Sequence, residues 1–462
     1  MGAEGAASER ALVRVPRTRA ADRTFTTAQI FAALALLAGL VWAAVNAAGA
    51  LVTWLHVGAL FVFSLMIGVR LVAAAASLAP PPPPRARWAG PKPTYTILCP
   101  LFLEAEVAAQ LIENLKRLDY PAELLDVKLI LEHDDVETIA AVRALDLPEQ
   151  FDLIITPPSA LRTKPRALNI ALARARGEFV CIYDAEDAPH PAQLNAALDA
   201  FAGDDKLACV QAPLLIDRAQ TGWIAAQFAA EYAIQFRAIV PLLARLNLPI
   251  PLGGTSNHFR TAALKAAGAW DAFNVTEDAD LGYRLAREGW RVGVIAPPTQ
   301  EEAPETLAAW MRQRTRWIKG HLQTWLVLMR NPFETAHEMG LAAFFSMQIV
   351  LLGGLIAAFA HGPLFLVLAV SLATPLNLLG DADIALALSG YATAIYSALA
   401  VSALLRDARV ARAALTMPFY WPLTTIAALK ALRALLARPH HWEKTEHGLA
   451  KRSMNGPISA AT

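Results

Sequence analysis

Glu178-Phe179-Val180-Cys181-Ile182-Tyr183-Asp184-Ala185-Glu186-Asp187 sets an apolar run directly against three carboxylates. Phe179–Tyr183 has the length and the β-branched and aromatic character of a buried strand. The acids at its carboxyl end carry two readings. Asp and Glu after a strand are ordinary turn and cap residues. Carboxylates this close together also suit a hard divalent cation whose oxygen shell is completed by phosphate.

Working outward, the same pattern recurs. Thr94–Cys99, Val127–Leu131 and Leu153–Ile155 read as three further strands, with helical patterns at Ala105–Arg117 and Arg166–Arg176 between them. Strands alternating with helices predict a parallel sheet covered on both faces. Ligands of such sheets bind at the carboxyl ends of the strands. Glu104 follows the first strand, Glu132, Asp134 and Asp135 the second, and Asp184, Glu186 and Asp187 the fourth. No GxGxxG follows the first strand and there is no GxxxxGK[ST], so the dinucleotide and Walker phosphate loops do not apply.

The flanks differ in kind. Across the 462 residues, 55% are hydrophobic and 18% charged, with a mean hydropathy of +0.37. Ordinary soluble domains carry about 25% charged residues. These figures exclude a disordered, collagen-like or simply soluble protein. Lys and Arg number 41 against 40 Asp and Glu, so no basic excess points to nucleic acid. Cys99, Cys181 and Cys209 sit in separate apolar runs and read as buried thiols.

Ile30–Ala50 and Leu51–Val69 lack charge, and each is near the roughly 20 residues needed to cross a bilayer. Five arginines precede them (Arg10, Arg14, Arg17, Arg19, Arg23), which places the N-terminus in the cytoplasm. Arg70 reads as the cytoplasmic end of the second span. The proline run Pro80–Pro84 reads as a stiff spacer. Further spans are expected at Met339–Ala360, Pro363–Leu379, Ile384–Leu405 and Ala413–Leu436. Arg406, Arg409 and Arg412 would then face outward against the charge bias, so the count is three or four. The expected organisation is a basic N-terminus (1–29), two spans (30–79), a linker (80–92), a catalytic domain (93–305), an amphipathic interface helix (306–332), three to four spans (339–436) and a cytoplasmic tail (437–462).

Two stretches near the end of the domain add chemistry. In Thr276-Glu277-Asp278-Ala279-Asp280, Thr276 reads as a helix N-cap whose following acids complement the dipole. One of those carboxylates also suits a general base facing a hydroxyl. Gln313-Arg314-Thr315-Arg316-Trp317 is the polar face of an amphipathic helix whose Trp310, Trp317 and Trp325 share a side. Arginine there suits a phosphate and tryptophan a sugar ring. Trp223, Phe228, Tyr232 and Phe236 form an aromatic stripe that reads as core or as an interface helix.

Taken in order, these elements resemble the membrane-embedded family 2 glycosyltransferases, the group of cellulose, hyaluronan and related polysaccharide synthases, and most closely a bacterial exopolysaccharide-type subgroup. The resemblance covers about Tyr95 to Pro332. Pro100-Leu101-Phe102-Leu103-Glu104 is similar to the first-strand element, with Phe102 and Leu103 where the family has Tyr and Asn. Glu132-His133-Asp134-Asp135 resembles the element that holds uracil and ribose, and leaves Glu132 and Asp134 as alternatives. Thr163-Lys164-Pro165-Arg166-Ala167-Leu168-Asn169 resembles a nucleotide-side element, and Gly253-Gly254-Thr255-Ser256-Asn257 an acceptor-side loop. Asp184-Ala185-Glu186-Asp187 stands at the Asp-x-Asp position, with Glu186 and Asp187 as alternative partners of Asp184. Thr276-Glu277-Asp278 and Gln313…Arg316-Trp317 match the family's Thr-Glu-Asp and Gln-x-x-Arg-Trp.

The resemblance implies a GT-A-like α/β domain inserted between transmembrane helices. It implies a nucleoside-diphospho sugar, a UDP-hexose by default, bound by Glu104, Glu132, Asp134, Lys164 and Asp184. Mg²⁺ or Mn²⁺ would sit on Asp184 with Glu186 or Asp187. Asp278 would act as base beside Thr276 and Glu277, while Gln313, Arg316 and Trp317 meet diphosphate and acceptor. The implied product is a β-linked polysaccharide exported across the bacterial inner membrane, with export partner proteins and membrane lipid as associates and the catalytic domain in the cytoplasm. The alternatives are single transfer to a lipid-linked acceptor and an inactive receptor or secretion scaffold. The short tail implies no cyclic-dinucleotide-binding domain.

Overall fold

The computed structural model describes residues 14–79, 86–217, 222–376 and 378–441. The proline run, Arg10 and most of the tail lie outside the described residues.

The central sheet forms where the apolar runs predict. Its strands are β1 (Tyr95–Leu101), β2 (Leu125–Glu132), β3 (Phe151–Thr156), β4 (Phe179–Ile182), β6 (Leu207–Gln211), β8 (Asn257–Arg260) and β9 (Arg291–Val294). Short β5 (Ala188–Pro189), β7 (Leu214–Ile216) and β10 (Thr299–Glu301) make a second sheet, ordered β5-β10-β7. The large sheet runs β3-β2-β1-β4-β8-β6-β9. β1 pairs in parallel with β2, Tyr95 opposite Leu125, and with β4, Tyr95 opposite Phe179. Two apolar layers flank it. One packs Leu111, Leu115 and Phe201 against Ile97, Leu129 and Phe179, and the other packs Leu168, Leu172 and Leu264 against Leu98, Ile130 and Val180. Burial on both faces explains the continuous apolar reading of the inner strands. Cys99, Cys181 and Cys209 are buried free thiols in these layers.

The sheet is not wholly parallel. β8 inserts antiparallel between β4 and β6. Its sequence, Asn-His-Phe-Arg, lacks an apolar run. Its polar groups are instead satisfied by distant partners: His258 Nδ1 lies 2.8 Å from the Tyr95 hydroxyl, and His258 Nε2 lies 3.2 Å from Gln193 Oε1. Burial pushes the His258 imidazole down to about 3, so it is neutral within the sheet.

Four helices among the described residues are long and apolar enough to cross a membrane: Thr27–Asn46, Ala48–Ser77, Leu341–Ala373 and Asp381–Leu405. The first two are separated by Ala47, close to the expected joint. The second runs on to Ser77, which puts Arg70 inside the helix rather than at its end, its guanidinium 5.0 Å above the Trp421 ring. The stretches expected as two spans, Met339–Ala360 and Pro363–Leu379, are one helix through Pro363. The Thr425 hydroxyl accepts from Gly362 N–H at 2.8 Å and donates to Ala358 C=O at 2.8 Å, supporting the turn that precedes the proline.

With one helix fewer, the arginine segment returns to the domain. Arg409 donates to the carbonyls of Asp217 (2.8 Å) and Ile216 (3.2 Å) at the end of β7 and pairs with Asp407 at 2.9 Å. The chain then continues through short helices to Pro422–Ala437, which packs on the helix Leu307–Leu328.

Candidate active site

The strand ends converge on one cavity of about 1020 Å³, lined among others by Glu104, Glu132, Lys164, Asp184, Glu186 and Asp278. After β4 the chain turns, and the two acids beside Asp184 separate. Asp187 is fully buried; its carboxylate accepts from Asp184 N–H at 2.8 Å and from the Thr255 hydroxyl. It therefore fastens the turn to the Gly253–Asn257 loop, and it does not line the cavity. Glu186 does. Asp184 Oδ1 lies 2.5 Å from Lys164 Nζ, which also donates to Gly254 C=O at 2.8 Å. Lys164 stands at the start of the helix Lys164–Leu172, so one ammonium joins that helix, the acidic turn and the Gly253–Asn257 loop.

The second acidic group enters from the opposite wall. Asn274 and Thr276 precede the helix Glu277–Arg287. Thr276 holds the N-cap position, but its side chain makes no capping bond, contrary to the expected cap. It wedges instead against Gly320 of the Leu307–Leu328 helix, where an added Cβ would lie 2.3 Å from Thr276 Oγ1. Gln323 Oε1 accepts from Val275 N–H at 3.2 Å, and Asn274 donates to Thr324 Oγ1 at 2.9 Å. So held, Asp278 Oδ2 lies 3.2 Å from where a Cβ on Gly254 would stand, with Lys164 Nζ 3.8 Å from the same point. Asp184 and Asp278, far apart in sequence, thus share one cleft through Lys164 and Gly254.

Burial raises the Asp278 carboxyl, while Lys164 and Arg316 oppose the rise. Glu277 is pushed up to about 8, first by burial and then by the Asp278 charge. Near neutral pH Glu277 therefore carries a proton beside the Asp278 carboxyl, itself raised by burial. Glu277→Gln should keep most activity at pH 7, because the amide resembles the protonated acid. In the unmodified protein, ionising Glu277 as pH rises through about 8 adds negative charge beside Asp278, so the KM for an anionic, phosphate-bearing substrate should climb there. The variant should show no such climb; identical pH–KM profiles would refute the assignment.

The Leu307–Leu328 helix supplies the third group. Gln313 and Arg316 line the cavity, and the Gln313 Oε1 atom is buried without a hydrogen-bond partner. Arg316 is held below its usual range by burial, against the opposing charges of Glu277, Asp278 and Asp184. Trp317 lies 5.7 Å from Phe228 and 6.1 Å from Tyr232, ring to ring, with the Arg314 guanidinium 5.0 Å from its centroid. Arg314 pairs with Glu231, which also accepts from the Tyr420 hydroxyl at 2.8 Å. The aromatic stripe is thus both core and wall: Phe228 is buried, while Tyr232 and Phe236 line the cavity with Trp317.

At the carboxyl end of β2, Glu132 Oε2 accepts from Thr156 Oγ1 at 2.6 Å. Asp134 points elsewhere, pairing with Arg162 at 2.6 Å with its side chain 39% exposed and outside the cavity lining. Asp135 caps the next helix and accepts from Leu103 N–H at 2.5 Å. Sequence reasoning missed Glu231, Glu301 and Glu302, which also line the cavity. Burial, then the charges of Asp187, Glu186 and Asp184, push Glu301 well up. The only signal was an acid pair, Glu301-Glu302, closing a short strand.

Carboxylate oxygens are the donors a Mg²⁺ or Mn²⁺ ion takes. Among the described residues no three His, Cys, Asp or Glu side chains form a ready cation cage. Asp184 and Glu186 fit a cation whose remaining ligands are diphosphate oxygens and water.

Residues 91–320 match the model of the family described as "Glycosyltransferase like family 2". A Bacillus subtilis (strain 168) protein named "Probable glycosyltransferase YdaM" is 27% identical over 249 residues, 52% of this chain and 58% of that protein. A "Beta-monoglucosyldiacylglycerol synthase" of Synechocystis sp. is 26% identical over 272 residues, 56% of this chain and 55% of that protein. One of the same name from Nostoc sp. is 27% identical over 328 residues, covering 69% and 68%. The chain thus spans little more than half the length of the first two. Among solved structures, the mannosyltransferase PcManGT from Pyrobaculum calidifontis, in complex with GDP-Man and Mn²⁺, aligns with a TM-score of 0.50 over 81% of this chain and 97% of that one, at 21% identity. That likeness establishes a GT-A-like fold.

Proposed function

We propose, from the premise that residues 91–320 are a domain of the glycosyltransferase-like family 2, that this chain moves a hexosyl group from a nucleoside-diphospho sugar to a hydroxyl, inverting the anomeric centre. The observation that carries this reading is the shared cleft of Asp184, Lys164 and Asp278. The nucleoside lies towards Glu104 and Glu132, and the diphosphate towards Asp184, Lys164 and Arg316. The acceptor oxygen attacks the anomeric carbon as its proton passes to Asp278 Oδ2. The bond from that carbon to the diphosphate breaks, and the electron pair leaves with the nucleoside diphosphate. Lys164 and Arg316 meet the charge that develops there, where preorganised cations contribute most. Asp184 and Glu186 would hold a Mg²⁺ or Mn²⁺ ion, which would supply Lewis-acid stabilisation to the same leaving group. Gln313 and Trp317 border the acceptor side.

The apolar helices lodge the chain in a membrane, and the basic N-terminal segment sets the domain on the cytoplasmic side. Two acceptors fit that setting. One is a growing β-linked glycan led between the helices for export with partner proteins. The other is a membrane lipid with a free hydroxyl, the reading favoured by relatives named for monoglucosyldiacylglycerol synthesis. The assembled Asp184, Asp278 and Arg316 speak against an inactive scaffold. The test is nucleoside-diphosphate release by the full chain in lipid nanodiscs with Mn²⁺, over a panel of UDP- and GDP-hexoses. Release with one or a few donors is expected; no release with any of them overturns the reading.

A further inference from the structure

The cavity that holds the carboxylates does not stop at the domain. It continues between the helices Ala48–Ser77, Gly353–Ala373 and Asp381–Leu405, and its walls change along the way. A polar collar comes first. Arg70 lies 5.0 Å above the Trp421 ring, and His361 and Tyr391 lie 4.8 and 5.9 Å from the same ring; all four line the cavity. Beyond Arg70 the lining side chains of the Ala48–Ser77 helix include Ile67, Met66, Phe63 and Leu60, and those of the Asp381–Leu405 helix include Leu386 and Ala387. Ile67 passes Gly390, where an added Cβ would lie 3.4 Å from Ile67 Cδ1. Further along lies His56, whose Nε2 is 2.5 Å from Asp383 Oδ1, with Val52 lining the cavity one turn beyond. From Arg70 to His56 the helix rises about 21 Å.

This section cannot serve every occupant equally. Each ring of a glycan presents several hydroxyls, and a buried hydroxyl without a partner costs about 1–3 kcal/mol. Leu60, Phe63, Ile67, Leu386 and Ala387 offer neither donor nor acceptor. A hydrocarbon chain entering from the bilayer exchanges one apolar surrounding for another and loses no hydrogen bond.

We propose that the section between the Arg70–Trp421 collar and the His56–Asp383 pair is the seat of a hydrocarbon chain of a membrane-lipid acceptor, whose hydroxyl-bearing head passes the collar to reach Asp278. This rests on the sugar-transfer reading for the head and on the cavity walls for the chain. The continuity of the cavity with the carboxylate cleft is what ties the two.

The test uses the full chain in phosphatidylcholine nanodiscs with a dioleoylglycerol analogue carrying a diazirine in the distal half of one chain. Photolysis should label peptides containing Leu60–Ile67 and Leu386–Gly390. Leu386→Trp and Gly390→Leu, which fill the section from two positions, should each lower transfer from the nucleotide sugar to dioleoylglycerol at least about tenfold, a change of about 1.4 kcal/mol. Donor hydrolysis to water should be unchanged in both. Labelling confined to the Thr27–Asn46 helix, undiminished transfer in both variants, or a sugar polymer lengthening with time would overturn the proposal. Labelling of the section in a protein that hydrolyses no donor would support the lipid seat and count against the transferase reading, so the two can fail separately.

Discussion

Asp278→Asn is expected to reduce kcat for sugar transfer by about 10²–10⁴, the usual worth of a positioned general base. The amide keeps the size of the side chain, and its oxygen can still accept from Ala279 N–H, a bond of 2.7 Å in the present structure. What it loses is the capacity to take a proton. Burial has raised the Asp278 carboxyl, which makes it a better base than an exposed aspartate while Lys164 and Arg316 keep the ionised form accessible. On the proposed reading donor binding rests on other groups, Glu132 towards the nucleoside and Asp184 with Lys164 towards the diphosphate, all of which line the cavity. The dissociation constant of the nucleotide sugar, measured by calorimetry, should therefore stay within about twofold of the unmodified value. Near-normal turnover in the variant would remove Asp278 from the role of base.

The cation site yields the second large effect. Chelating divalent ions should lower transfer by about 10²–10³, the scale of losing a preorganised electrostatic partner of the leaving group. The two acids beside Asp184 should then respond differently. Glu186→Gln, whose side chain borders the cavity, should raise the Mn²⁺ concentration for half-maximal activity about tenfold with the melting temperature unchanged. Asp187→Ala removes the acceptor of Asp184 N–H and of the Thr255 hydroxyl, so it should cost about 1–3 kcal/mol of stability. Both are read from Mn²⁺ titrations and thermal melts. A Mn²⁺ shift in the Asp187 variant, with none in Glu186→Gln, would reverse the two assignments.

The parts of the fold that the sequence made legible share a physical cause. β1, β2 and β4 are inner strands, buried on both faces, so their apolar runs are nearly unbroken. β8 was not legible, because His258 is satisfied by Tyr95 and Gln193, partners that the chain brings together only on folding. In the candidate site, Thr276–Asp278 and Gln313–Trp317 stood out by residue type and order, whereas orientation did not. At the end of β2, Glu132 turns into the cavity, whereas Asp134, two residues on, turns out to Arg162, and residue type alone does not distinguish them. Glu301 went unread because its significance comes from burial and from the charges of Asp187, Glu186 and Asp184, which reach it only on folding. Pro363 suggested a break between spans, yet Thr425 satisfies the backbone groups beside it and the helix continues.

The missing side chain at Gly320 has a further meaning. Because Thr276 occupies that space, and Gln323 and Thr324 grip the residues before it, the base is anchored to the amphipathic helix rather than to the sheet. Severing the chain after Glu305 would remove Gly320, Gln323 and Thr324 and so unmoor Asp278 from Asp184 and Lys164, and on the proposed reading the shortened chain would lose catalysis before it lost sugar-nucleotide binding.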